Sequence, residues 1–207
     1  MKNEFDAEFW DKRYRAQSAV WSGNPNIHLV NEVSGLAPGT ALDVGCGEGA
    51  DAIWLAERGW HVTAADISSV ALERARALEV SLEVARRIDW LHTDLAASAP
   101  PSSYDLVSAQ FMHLPRTPRE LLFRRLAASV KPKGTLLIVG HHPSDLATTA
   151  SRPPLPELFY TADDVAALLE PTTWDIIVNA SRERSTTDPA GRTITIHDAV
   201  LRARRHE

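Results

Sequence analysis

The residues best suited to chemistry crowd into "ALDVGCGEGADAIWLAERG", residues 41–59. An apolar run carries an acid, Asp43, near its end. Gly45, Gly47 and Gly49 follow at every second position, and a helix-like segment comes next. At the carboxyl end of a strand the chain must turn sharply into a helix. Gly45 and Gly47 have no Cβ, so the backbone can turn there and a ligand can lie against it. The new helix adds unpaired N–H groups and a positive dipole end. Such a turn suits an adenosine compound. Gly45-x-Gly47-x-x-Ala50 also fits the dinucleotide fingerprint, so the turn alone leaves both ligands open. Asp66 lies about 20 residues beyond the glycines, where a carboxylate can accept from both ribose hydroxyls of either ligand. Its competing role is to cap a helix that starts near Ser68. Cys46, inside the turn, reads as a small packed side chain rather than a nucleophile.

The elements that must position this turn follow from pattern. Short apolar runs alternate with helical periodicity, which implies a βαβ series and a parallel sheet. Strands are expected at Thr40–Val44, His61–Asp66, Ile88–Thr93, Tyr104–Ala109 and Thr135–Gly140. Helices are expected at Ala50–Arg58, Ser69–Arg86 and Pro118–Val130. Gly59 stops the first of these in a left-handed conformation. Ser68 or Ser69 caps the second, with Glu73 in or near its first turn. Ahead of the first strand, two helices are expected in the first 35 residues. Phe5, Phe9 and Trp10 share a face of one. The other starts at Asn24 or Asn26 and presents Leu29, Val30 and Val33. Residues 141–160, "HHPSDLATTASRPPLPELFY", form a long loop of the kind that serves as a lid or stays disordered. A helix capped by Thr161 follows over Ala162–Leu169. The segments around "STTDPAG" then read as an antiparallel hairpin.

Composition narrows the classes. The chain has 207 residues, 44% of them hydrophobic and 24% charged, enough for one domain with a sizeable core. No apolar run approaches the ~20 residues of a membrane span. The start, "MKNEFDAEFWDKRY", lacks an apolar signal core, so a cytoplasmic protein is expected. A single cysteine excludes an internal disulfide and a multi-cysteine metal site. The net charge of −5 argues against nucleic acid as a partner, and the basic end, "LRARRHE", reads as a solvated tail.

"ALDVGCGEG", "VTAADIS", "WLHTDL", "YDLVSAQFMHLP" and "GTLLIVG" resemble the successive motifs of class I S-adenosylmethionine (SAM)-dependent methyltransferases, in that family's order, over residues 40–140. "FWDKRY" and "WSGNPN" resemble the small bacterial branch that includes tellurite-resistance and thiopurine methyltransferases. The resemblance implies an α/β, Rossmann-like, doubly wound sheet of seven strands, mostly parallel, with a C-terminal antiparallel hairpin and an N-terminal helical flap. Residues 1–207 are expected to make one methyltransferase domain. Within it, 1–35 would be the flap, 36–140 the SAM-binding core, and 141–207 the acceptor loop, helix and hairpin. It further implies that Asp43, Gly45 and Gly47 run along the methionine part of SAM, that Asp66 holds the ribose and that Ile67 packs on the adenine. Asp94, with the Leu95 backbone beside it, would accept from the adenine amino group, and Gln110 would approach the methionine end. Trp10, Tyr14 and Trp21 would close over the cofactor, and Arg13 would pair with its carboxylate. Against these roles, Trp10 and Trp21 serve equally as core anchors of the flap, and Arg13 as a solvated helix charge. SAM suits the acids better than a dinucleotide does. It has no pyrophosphate, but it carries an ammonium and a sulfonium. At an effective dielectric near 20, a charge pair ~4 Å apart is worth roughly 4 kcal/mol before desolvation.

Methyl transfer is an in-line displacement that leaves neutral S-adenosylhomocysteine (SAH), and alignment is the main contribution an enzyme makes to it. A hydroxyl acceptor would need a base. His113, after the fourth strand, and His141 and His142, after the fifth, lie at the same carboxyl-end face of a parallel sheet. No metal is expected. Adjacent residues such as His141 and His142 point to opposite faces of a strand, which disfavours joint ligation with Asp145. Phe111, Met112, Leu155, Phe159 and Tyr160 would wall the acceptor pocket. The expected acceptor is a small molecule: a phenol, hydroquinone, thiol or metalloid oxyanion. An NAD-type oxidoreductase and a non-catalytic SAM-binding module stand as alternatives.

Overall fold

The computed structural model describes residues 5–78, 80–153 and 155–207. Two short helices open the chain, α1 (Ala7–Ala16) and α2 (Ile27–Val33). The side chains of Asp6 and Asn26 cap them by accepting from the N–H groups of Phe9 and His28. Phe5 precedes α1 rather than lying on it. Its ring meets Phe9 edge-on at 5.1 Å between centroids.

The core then alternates β1 (Thr40–Val44), α3 (Ala50–Glu57), β2 (His61–Asp66), α4 (Ser69–Arg76), α5 (Leu82–Ala85), β3 (Ile88–His92), β4 (Tyr104–Gln110), α6 (Arg116–Ala128) and β5 (Val130–His141). After two single 3₁₀ turns and α7 (Ala162–Ala166), the chain closes with β6 (Trp174–Thr187) and β7 (Thr193–Arg205). The strands form one seven-stranded sheet in the order β3-β2-β1-β4-β5-β7-β6. The β1–β5 strands are parallel, and β7 enters antiparallel between β5 and β6. The order reverses between β1 and β4, so a crevice opens at their carboxyl ends, where open α/β sheets place ligands.

Both faces of the sheet are covered, which explains the unbroken apolar runs. Leu42, Val107, Leu136 and Ile138 pack with Leu122 and Phe123 of α6 on one side. Ala41, Val62, Leu106 and Leu137 pack with Leu29 of α2 and Leu55 of α3 on the other. Gly59 takes φ +90° after α3, as a C-terminal glycine should.

Several boundaries differ from expectation. The helix expected over 69–86 is two, because Ser81 accepts from the Val84 N–H and starts α5 afresh; Glu79, between them, lies outside the described residues. Ser68 caps α4, but Glu73 falls beyond its first turn, which holds no acid. Helix α6 begins earlier, at Arg116, so Pro118 sits in a first turn where no N–H is lost. β5 begins at Val130, where it pairs with Tyr104. Thr161 caps α7 through a capping box with Asp164, and that helix ends at Ala166.

Candidate active site

A cavity of about 1180 Å³ lies over the carboxyl ends of β1, β2, β4 and β5, roofed by α1 and the segment that follows it. Its floor is the glycine turn. Gly45, Gly47 and Gly49 all have positive φ, at +69°, +54° and +87°. A Cβ on Gly47 would stand 2.9 Å from the Tyr14 hydroxyl, and one on Gly49 2.6 Å from the Trp90 ring. Glycine is therefore required twice over, by backbone conformation and by close approach. The N–H groups of Gly45 and Cys46 donate to the Ala65 carbonyl, tying the turn to β2. Asp66 accepts from Gly47 N–H and Ser68 N–H, each at 2.8 Å.

Three acids surround this turn. Asp66 and Asp51 line the cavity, while Asp43 is buried behind it. Asp43 therefore does not reach along the cavity as the sequence suggested. It points back from β1 and accepts from the Ala52 N–H of α3, and its Oδ2 is a buried acceptor with no partner among the described residues. Burial first, then the charges of Asp51 and Asp66, raises its carboxyl well above the ordinary range. Burial likewise raises Asp51 to about 6, although Asn26 N–H donates to it at 2.6 Å. It raises Asp66 too. Among the described residues, no lysine or arginine pairs with any of the three.

The flap is bolted to the turn by residues that local pattern did not single out. Glu48 accepts from the N–H groups of Val20 and Trp21 at 3.1 Å and pairs with Arg74 at 2.9 Å. Arg74 also donates to the carbonyls of Tyr14 and Gln17. Asp11 reaches from α1 to Ser68 Oγ at 2.6 Å and to Val70 N–H at 3.3 Å, so the flap caps α4. Glu48 was the visible signal, a charged residue inside an otherwise bare turn. Tyr14 is buried and accepts from Trp21 Nε1 at 2.9 Å. The Arg13 guanidinium lies 5.6 Å from the Trp10 ring and 5.3 Å from the Trp21 ring. All four line the cavity.

Ile67, Asp94, Leu95 and Gln110 line it as well. Asp94 accepts from Ala96 N–H at 2.8 Å. Gln110 donates to Ser108 Oγ at 2.8 Å, and its buried Oε1 has no partner among the described residues. His113 and His141 are brought together, with ring centroids 5.7 Å apart. Burial, with Arg13 and Arg152 adding to it, lowers His113 to about 4. Burial, with Arg152 first among the charges, lowers His141 to about 3. Both imidazoles are neutral at ordinary pH, and His141 Nδ1 is buried without a partner among the described residues. Phe111, held at φ +53°, packs its ring 4.6 Å from His141.

His142 is the exception among the histidines. Strand alternation turns it away from the cavity, and its Nδ1 lies 2.9 Å from Ser144 Oγ, capping the first 3₁₀ turn. Two expected wall residues also fail to reach the cavity. Phe159 and Tyr160 are core residues, and the Tyr160 hydroxyl donates to the Val139 carbonyl. Phe111, Met112 and Leu155 do line it. Arg152, Arg184 and Asp198 line the end beside His141 and were not anticipated.

A family model described as "Methyltransferase domain" matches residues 41–134. The chain is 32% identical over 134 residues to a probable thiol methyltransferase 2 of Arabidopsis thaliana, an alignment covering 62% of this chain and 59% of that relative's length. Among solved structures, TehB from Haemophilus influenzae is similar with a TM-score of 0.68 at 19% identity, covering 97% of this chain and 67% of that one. N-methyltransferase NodS from Bradyrhizobium japonicum, in complex with SAH, is similar with a TM-score of 0.70 at 16% identity, covering 97% and 98%. At such identities the two structures establish the fold. No helix among the described residues is long and apolar enough to cross a membrane.

Proposed function

We propose that this chain is a class I SAM-dependent methyltransferase that transfers the methyl group of SAM to a small-molecule acceptor by in-line displacement, a reading supported by the methyltransferase-domain match over residues 41–134. The observation that carries the reading is the set of buried and half-buried acids at the glycine turn, Asp43, Asp51 and Asp66, with no lysine or arginine paired to them among the described residues. Such a site repels a pyrophosphate and attracts an ammonium and a sulfonium. The unpartnered Asp43 Oδ2 and Gln110 Oε1 support it, as buried acceptors awaiting donors or positive charge.

In this reading the Gly45–Gly47 backbone lies along the methionine part of the cofactor. Asp51 faces the ammonium, and Asp43 adds its charge from behind. Asp66 keeps the turn in shape through Gly47 N–H and accepts from the ribose. Ile67 and Leu95 flank the adenine, and Asp94 accepts from its amino group. Arg13 faces the carboxylate. Trp10, Tyr14 and Trp21 close the site against water. When bound, SAM supplies an electrophilic methyl on a sulfonium whose departure is neutral. The protein's own contribution is alignment, since oriented reactants gain effective molarities of ~10⁵ M or more. His113 and His141, both neutral, stand where an acceptor's proton would go.

Titration with SAH, SAM and NAD⁺, followed by methylation assays on phenols, thiols and metalloid oxyanions, tests this. SAH binding with turnover on one of those classes is expected. NAD⁺ binding in preference to SAH would overturn the reading, and SAH binding without turnover on any acceptor would leave a binding module.

A further inference from the structure

The two ends of the cavity differ in their charged groups. Its cofactor end holds Glu48, Asp51, Asp66 and Asp94 with Arg13, and its far end holds Arg152, Arg184 and Asp198 beside the two histidines. These two arginines come from separate elements, the loop after β5 and the middle of β6. Each is fixed by a carboxylate whose side chain has no exposed surface. Arg152 donates through Nε and Nη2 to Asp145 Oδ2, at 3.2 and 2.8 Å. Asp145 is itself held by the His197 N–H at 2.8 Å. Arg184 donates through Nε and Nη2 to the two oxygens of Asp198. His28 Nε2 braces Asp198 Oδ2 at 3.0 Å, and Asp198 lies opposite His141 in the β5–β7 register.

Buried ion pairs are a poor way to gain stability, because desolvation consumes most of the attraction. What two such pairs do supply is orientation. A guanidinium has five donors in a fixed fork. With Nε and Nη2 spent on the carboxylate behind, Nη1 of each arginine has no acceptor among the described residues. Beyond burial, Arg152 disfavours the charged form of both histidines, Arg13 that of His113 and Arg184 that of His141, while Asp198 favours that of His141. A neutral phenol or alcohol uses none of this. A planar anion uses all of it, because carboxylates match the guanidinium fork.

We propose that the methyl acceptor carries a carboxylate, held by Arg152 and Arg184, with its nucleophilic hydroxyl or thiol directed past His141 toward Gln110. This rests on the methyl-transfer reading above. The two guanidinium groups beside a bound acceptor also favour its ionised form, so a proton leaves it more readily.

Matched pairs test the proposal on the native protein saturated with SAH: 3-hydroxybenzoate against 3-hydroxybenzamide, and 3-mercaptopropionate against 3-mercaptopropionamide. Binding is read by calorimetry at low and high salt. The carboxylates should bind at least tenfold more tightly than the amides, and salt should reduce that ratio. Arg184→Met should bring the ratio to near one while leaving SAH affinity within twofold. Arg152→Met should do the same where it folds. The wild-type comparison needs no variant, so loss of folding does not shield the idea. Equal binding of acid and amide, or SAH binding with neither member of either pair detected, overturns it. Failure of SAH itself to bind removes the methyl-transfer reading instead.

Discussion

Asp51→Asn separates stability from function. The Asp51 carboxyl is raised from 3.8 to about 6, chiefly by burial. Each factor of ten in a proton equilibrium is about 1.4 kcal/mol, so holding this group charged at neutral pH costs the empty protein up to about 3 kcal/mol. The asparagine keeps an oxygen for the Asn26 N–H, which approaches at 2.6 Å, and removes the charge. Because the folded carboxyl titrates higher than the unfolded one, its favourable contribution is complete below about pH 4 and is lost as pH rises to about 6. Asp51→Asn should therefore match wild type in urea unfolding at pH 4 and exceed it by about 1–3 kcal/mol at pH 7. SAH affinity should move the opposite way. Losing a hydrogen bond between charged groups costs roughly 1.5–3 kcal/mol, about 10- to 150-fold in Kd. A variant that is less stable at pH 7 and binds SAH as wild type does would refute both the electrostatic cost and the assignment of Asp51 to the ammonium.

Other perturbations reach different parts of the site. Gly47→Ala places a methyl 2.9 Å from the Tyr14 hydroxyl at a positive φ; it should lose about 1–3 kcal/mol in urea unfolding and weaken SAH binding at least tenfold by calorimetry. Glu48→Ala removes the partner of Arg74 and the acceptor of two flap N–H groups. Hydrogen exchange over residues 7–21 should quicken while the sheet stays protected. The neutral His113 and His141, lowered to about 4 and about 3, resist charging that the unfolded chain accepts at 6.5. Stability should be level above that pH and fall progressively between 6.5 and about 3, and His141→Gln should flatten part of this fall in thermal unfolding. The same variant should lower kcat on a protonated acceptor by about 10²-fold, the lower range for proton transfer, with SAH affinity unchanged.

The sheet was legible because its cause is local. β1 and β2 end where the apolar run meets a glycine turn or a capping serine, and both were bounded to the residue. The lone helix expected over 69–86 is broken because Ser81 accepts from the Val84 N–H and caps a second helix. Within the site, Asp66 and Gln110 end their strands and Asp94 follows β3, so topology alone brings them to one crevice. His142 was misplaced through a rule already in hand, since side chains alternate along a strand. The family resemblance implies a ligand role for Asp43, whereas its strand face directs it to α3. The far end of the cavity was invisible for a different reason. Arg184 and Asp198 sit in strands with ordinary alternation, and His28 meets Asp198 across 170 residues of chain. No local pattern encodes such pairs.

The most direct check on the acidic glycine turn as a cofactor grip is a crystal structure with SAH bound. The amino group should lie within hydrogen-bonding reach of Asp51, with the ribose hydroxyls on Asp66 and the adenine between Ile67 and Leu95. Density for SAH elsewhere, or an amino group turned away from Asp51 with Asp43 still unpartnered, would contradict it.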